Sequence, residues 1–227
     1  MKFNNITIIN GRVINGISNG KTQKFDEKKV EDGNAVDKII VYSTFVDVNI
    51  TVSKSANIEV HFYGEAVVDG DISFDSKLVG RELRVAVRAS GNCYNGNLKL
   101  DISLPSKTFQ VISVESMSGD ITVGEKISCG HLELKTSSGD VNTEAVFKYT
   151  VVETMSGDVE LYTEAQSDID VKIKTMSGDV LTELNNIGHI NLSTRTISGD
   201  VNNRHRIREG HIANVNISAM SGDIKIR

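Results

Sequence analysis

The 227-residue sequence has no tryptophan, one proline (Pro105) and two cysteines, Cys93 and Cys129. Two cysteines are too few for a disulfide framework, and their separation is not that of a metal knuckle. Near absence of proline leaves strand ladders uninterrupted, because proline removes a backbone donor wherever it sits. No apolar run approaches the roughly 18 residues of a membrane helix, and Met1-Lys2-Phe3-Asn4-Asn5-Ile6 lacks a signal-peptide core. The sequence alone therefore predicts a cytoplasmic chain with no integral membrane segment. No Gly-x-Ser-x-Gly, P-loop or Rossmann fingerprint is present. His61, His131, His189, His205 and His211 are scattered without ligand spacing, so no cofactor is expected. With 25 basic against 30 acidic residues, the net charge of −5 argues against nucleic acid as a partner. Hydrophobic residues at 39% and charged residues at 24% exclude a disordered chain.

What the sequence does contain is a repeat. Ser-Gly-Asp occurs six times, with its glycine at Gly119, Gly139, Gly157, Gly178, Gly199 and Gly222, at intervals of 20, 18, 21, 21 and 23 residues. The flanks repeat too. The residue before each copy is Met117, Ser137, Met155, Met176, Ile197 or Met220, and the residue after it is Ile121, Val141, Val159, Val180, Val201 or Ile224. Upstream, apolar and polar residues alternate with a period of two, as in Ile112 and Val114, Leu132 and Leu134, or Val171 and Ile173, which marks half-buried strands. No segment carries a helical period, so the class is all-β.

A two-strand unit of about 20 residues cannot bury its own apolar face. Stacking such units at about 4.8 Å per layer gives a continuous core. The sequence thus predicts a β-solenoid (β-helix or β-roll), with antiparallel hairpins in a meander or sandwich as the competing arrangement. The six glycines are read as structural turns, since glycine accepts a positive φ at a tight corner. The Met/Ile and Val/Ile positions are both expected to form internal columns. Asp120, Asp140, Asp158, Asp179, Asp200 and Asp223 would then stand in register. Carboxylates about 4.8 Å apart repel by roughly 1 kcal/mol in water. They are expected to bond corner amides, with Ca²⁺ between layers as the less favoured alternative.

The first half is less regular. Residues 1–45 read as a hairpin (Ile6 to Ile14 around Asn10-Gly11) plus a charged loop from Ser18 to Asp37. Residues 46–105 read as degenerate β-coils and 106–227 as the regular stack, all one continuous body. The chain stops in strand-like Ile224-Lys225-Ile226-Arg227, which reads as an open stack end where Lys225 and Arg227 act as charged gatekeepers against end-to-end pairing, with self-association through the C-terminal strand as the alternative. Arg204, Arg206 and Arg208 form a basic cluster in the longest interval, a candidate contact for an anionic glycan or a protein partner.

Leu98-Lys99-Leu100-Asp101-Ile102-Ser103-Leu104-Pro105, followed by Thr-Met-Ser-Gly-Asp-Val units, resembles the bacterial "putative adhesin" family of unknown function, common in Firmicutes. The resemblance covers residues 46–227 well. It implies a β-solenoid-like body and association with the cell envelope in some members, and it carries over no catalytic residue. The functional expectation is a non-enzymatic β-repeat binding protein whose ligand is a protein or a glycan. Two alternatives stand beside it: a scaffold or sensor in an envelope-stress response, and a glycan-active β-helix lyase or hydrolase.

Overall fold

Pairing of strands in the repeat region is parallel and in register. The computed structural model describes residues 7–9, 12–14 and 21–227, with side chains from residue 22 onward except 92–95. Its strands are β1 (Thr7–Ile9), β2 (Arg12–Ile14), β3 (Lys21–Asp32), β4 (Lys38–Ser43), β5 (Asp47–Ser53), β6 (Asn57–Val79), β7 (Glu82–Pro105), β8 (Thr108–Ser118), β9 (Ile121–Val123) and β10 (Ser128–Ser138). They continue as β11 (Val141–Thr143), β12 (Val146–Ser156), β13 (Val159–Glu164), β14 (Ile169–Ser177), β15 (Val180–Asn185), β16 (Ile187–Arg195), β17 (Val201–Asn203), β18 (His211–Ser221) and β19 (Ile224–Ile226). The helical content among the described residues is one 3₁₀ turn, Gly33–Ala35. No helix there is long and apolar enough to cross a membrane.

Seventeen strands form one sheet. Two parallel ladders run through it. The first is β4, β8, β10, β12, β14, β18, β16, and the second is β5, β9, β11, β13, β15, β19, β17. Each repeat supplies one strand to each ladder, which is the solenoid-like stack expected from the repeat; the hairpin arrangement does not occur there.

The core follows from the period of two. Ile39, Ile112 and Leu132 stack with Thr150, Val171 and Val215 in one column, all buried. On the facing ladder Val48, Ile121, Val141, Val159, Val180 and Ile224 form another. Each fully buried Val, Leu or Ile contributes about 1.5–3 kcal/mol. Stacking spreads that contribution along the whole stack.

Four expectations need correction. The Met/Ile position is not internal: Met117, Met155, Met176 and Met220 are 48–55% exposed and Ile197 is 69% exposed. The phase of the strand decides this. From Val114 inward positions fall on alternate residues, so Ser116, Thr136, Thr154, Thr175 and Ala219 turn inward and the next residue turns out. Apolar character pointed one way and register the other, and register won.

The C-terminal strand is not the open edge. β18 lies between β14 and β16, and β19 between β15 and β17. After β15 the chain skips a layer to lay down β16 and β17. It then returns through residues 204–210 to fill the gap, leaving Ile224 and Ile226 fully buried.

Residues 21–32, read as part of a charged loop, form β3, paired antiparallel with β6. Its charges are tolerated because it is an edge strand, and Phe25 anchors it against Phe62 at 5.0 Å between ring centroids.

Nor are residues 57–105 separate coils. β6 and β7 are one long antiparallel hairpin. β7 pairs with β4 through residues 82–87 and with β5 through residues 99–105, so the hairpin covers the end of both ladders. β1 and β2 pair antiparallel as the Asn10-Gly11 signal predicts, with the turn itself outside the described residues.

Candidate functional site

The repeated corner sets what the surface presents. All six Ser-Gly-Asp glycines have φ between +131° and +148°, a region that side chains resist. Stacking adds a second constraint. A Cβ on Gly157 would lie 2.0 Å from the carbonyl oxygen of Gly139, and one on Gly178 would lie 2.1 Å from that of Gly157. The corners are therefore locked by geometry, as the sequence predicts.

The aspartates form the expected column, with Asp47 as a seventh member that the tripeptide search misses. The backbone N–H of each of the six tripeptide aspartates donates to Oδ1 of the aspartate in the neighbouring layer. Asp120 donates to Asp47 at 3.1 Å, Asp140 to Asp120 at 2.9 Å and Asp158 to Asp140 at 2.8 Å. Asp179 follows on Asp158 at 2.7 Å, Asp223 on Asp179 at 2.8 Å and Asp200 on Asp223 at 3.0 Å. Every carboxylate of the column except that of Asp200 thus satisfies a corner amide, a charge-assisted bond that offsets the repulsion between neighbours. Among the described residues no group of three or more His, Cys, Asp or Glu side chains converges as a metal site.

Beside this column runs the exposed ladder of Met117, Ser137, Met155, Met176, Met220 and Ile197 in spatial order. A shallow groove of about 440 Å³ lies along it, lined by Met155, Met176, Glu115, Lys135, Glu153 and Lys174. Methionine is polarizable and conformationally adaptable, so such a row accommodates apolar partners of varied shape. The charges beside it alternate by layer, Glu115, Lys135, Glu153, Lys174.

At the other corner, where the repeats vary in length, a polar groove of about 590 Å³ is lined by Glu125, Glu144, Tyr162, Glu164, Gln166 and Asn185. Carboxylates, planar amides and one aromatic ring are the side-chain types that hold sugar hydroxyls and ring faces.

Arg204, Arg206 and Arg208 sit in the exposed connection between β17 and β18. The Arg208 Nε donates to the Ile187 carbonyl at 3.1 Å, while Arg204 and Arg206 form no ion pair with the described residues. Within that connection His205 is held below its ordinary value by burial, with the nearby Arg208 charge acting the same way. The Cys129 thiol is buried and its pKa is pushed up to about 12 by desolvation, which makes it a poor nucleophile. The Cys93 side chain lies outside the described residues.

A family model described as Toastrack DUF4097 matches residues 36–227. Among solved structures, a "putative cell adhesion protein" from Clostridium sporogenes is 19% identical, with a TM-score of 0.52 over 90% of this chain and 99% of that one. A "putative adhesin" from Bacteroides fragilis is 15% identical, with a TM-score of 0.45 over 93% of this chain and 100% of that one. The first of these shares the fold. No functionally curated protein matches the chain.

Proposed function

The chain belongs to the Toastrack DUF4097 family, and from that premise we propose that it is a non-enzymatic, adhesin-like binding body acting at a cell envelope. The observation that carries this reading is the exposed methionine ladder. Five large apolar side chains, each about half exposed or more, are held on a rigid parallel ladder where nothing in the fold requires them to be apolar. Four of them, Met155, Met176, Met220 and Ile197, occupy adjacent layers, and a contiguous apolar row on a folded surface marks a contact site. Repetition at one spacing lets a partner gain affinity from several layers at once instead of from one pocket. The structural relative named for cell adhesion supports the same reading.

The alternating Glu115, Lys135, Glu153 and Lys174 beside the row favour a protein partner with an apolar stripe and mixed charges. A second reading, glycan contact, is favoured by the Tyr162 groove with its carboxylates and amides.

Sedimentation of the purified chain with envelopes of its native organism separates the two. Met155→Glu combined with Met176→Glu should cut the bound fraction at least about tenfold without lowering Tm, because both side chains are half exposed. Loss of binding in Tyr162→Ala, with the methionine variant unchanged, would transfer the function to the polar groove. Full binding by both variants would remove both readings.

A further inference from the structure

The two ends of the stack are built differently. At one end the β6–β7 hairpin covers both ladders. The outer strand β3 carries eight charged residues in twelve, Lys21, Lys24, Asp26, Glu27, Lys28, Lys29, Glu31 and Asp32. Such charges keep an edge from pairing with another chain. At the other end β16 pairs with β18 alone and β17 with β19 alone. Arg195 is the single Lys, Arg, Asp or Glu in those two strands. Ile197 is 69% and Val201 44% exposed there, and Ile190 and Leu192 are only partly covered.

Two charged features flank this bare edge. Asp200 is the last rung of the aspartate column; its N–H reaches Asp223, but no amide among the described residues donates to its own carboxylate. It sits at the corner between β16 and β17. The connection with Arg204, Arg206 and Arg208, offset by the single acid Glu209, sits at the opposite end of β17.

We propose that this end pairs with the same end of a second copy, tail to tail. The charges select the geometry. A two-fold axis along the strands would place Asp200 over its own counterpart and the arginine connection over its own counterpart, and both pairs repel. A two-fold axis normal to the sheet reverses strand direction, so β16 runs antiparallel to β16 of the second copy. That arrangement sets the Asp200 corner of each copy over the arginine connection of the other. Arg195, at the Asp200 end of β16, is then held away from its counterpart but faces the other copy's arginine connection, a repulsion set against the Asp200–arginine attraction beside it. The open ladder gains a next layer, and Asp200 gains guanidinium donors in place of the amide it lacks. The two-fold closes the assembly at two copies. This inference stands on the stack end and not on the methionine ladder, so either can fail alone.

An edge of two short strands falls in the small interface class, below about 1,200 Å². Association is therefore expected at tens of micromolar, read by sedimentation velocity of the full chain from roughly 1 to 200 µM at low salt. The dimer should weaken as salt rises from about 50 to 500 mM. Asp200→Lys alone, and Arg204→Glu with Arg206→Glu, should each raise the dissociation constant at least about tenfold. All three changes in one chain should restore it, because each copy then presents the reversed pair. Folding is controlled by an unchanged Tm; these side chains are exposed and support no backbone amide. A monomer across the range would overturn the proposal. So would a dimer indifferent to both charge variants, one that the triple variant fails to restore, or open-ended filaments.

Discussion

Gly157→Ala is expected to destabilise the protein by about 3 kcal/mol or more and to lower Tm by roughly 6–12 °C, or to abolish folding. A single methyl group has this effect because two constraints coincide. The backbone holds φ at +142°, and the new carbon would sit 2.0 Å from the Gly139 carbonyl oxygen and 2.6 Å from its carbon. Neither obstacle is a side-chain end that can swing away. Each corner rests on the corner beneath it, so relief at one layer displaces the next. Gly80 is the control. It also has positive φ, +63°, but a Cβ there meets nothing within 4 Å. Gly80→Asn should therefore stay within about 0.5 kcal/mol of the parent, since asparagine tolerates that region. Thermal unfolding of the two variants side by side separates stacking from turn preference. Equal losses would show that conformational freedom alone selects glycine at these corners.

The second large effect concerns the order of the layers. Ile224 and Val201 occupy the same column, paired with each other across β19 and β17. Ile224 is fully buried between Val180 and Val201, whereas Val201 is 44% exposed at the stack end. Ile224→Ala should cost about 2–4 kcal/mol, and Val201→Ala less than about 1 kcal/mol. A chain that added its layers in sequence order would reverse the ranking, because Ile224 would then be outermost. Denaturant unfolding of the two variants decides between the orders. A larger loss for Val201→Ala would contradict the inserted final coil.

The fold class was legible because the repeat imposes it. Alternation around Leu132 and Leu134, or Val171 and Ile173, marks strands, and Ser-Gly-Asp marks corners whose glycine has no substitute. Stacking followed from units too small to bury their own apolar faces. The layer order was not legible, because every repeat offers nearly the same edge. Nothing in Val201 or Ile224 says which is inner until the polar Thr194 and Asn203 are recognised as substitutions at inward positions of the outermost coil.

β3 was hidden for a different reason. An edge strand exposed along most of its length has no burial pattern to show, and Phe25 was its single clue.

The exposed ladder was legible in principle. Carrying the phase of Val114 forward puts Ser116 inside and Met117 outside. The apolar character of methionine obscured a count that the period of two already contained. Asp47 was equally within reach, since Phe45-Val46-Asp47-Val48 keeps the Asp-Val pair without the glycine.

The methionine ladder, proposed as the contact surface, carries its own reporter. Mild peroxide converts exposed methionine to its sulfoxide, and peptide mass spectrometry reads each site separately. Met117, Met155, Met176 and Met220 start from nearly equal exposure in the free chain. The measurement is their oxidation rate in the free protein and in protein bound to envelopes of the native organism. Met155, Met176 and Met220, which occupy adjacent layers, should be protected together on binding, with Met117, set apart by Ser137, protected less. Equal oxidation rates in the free and bound protein would contradict the proposed contact.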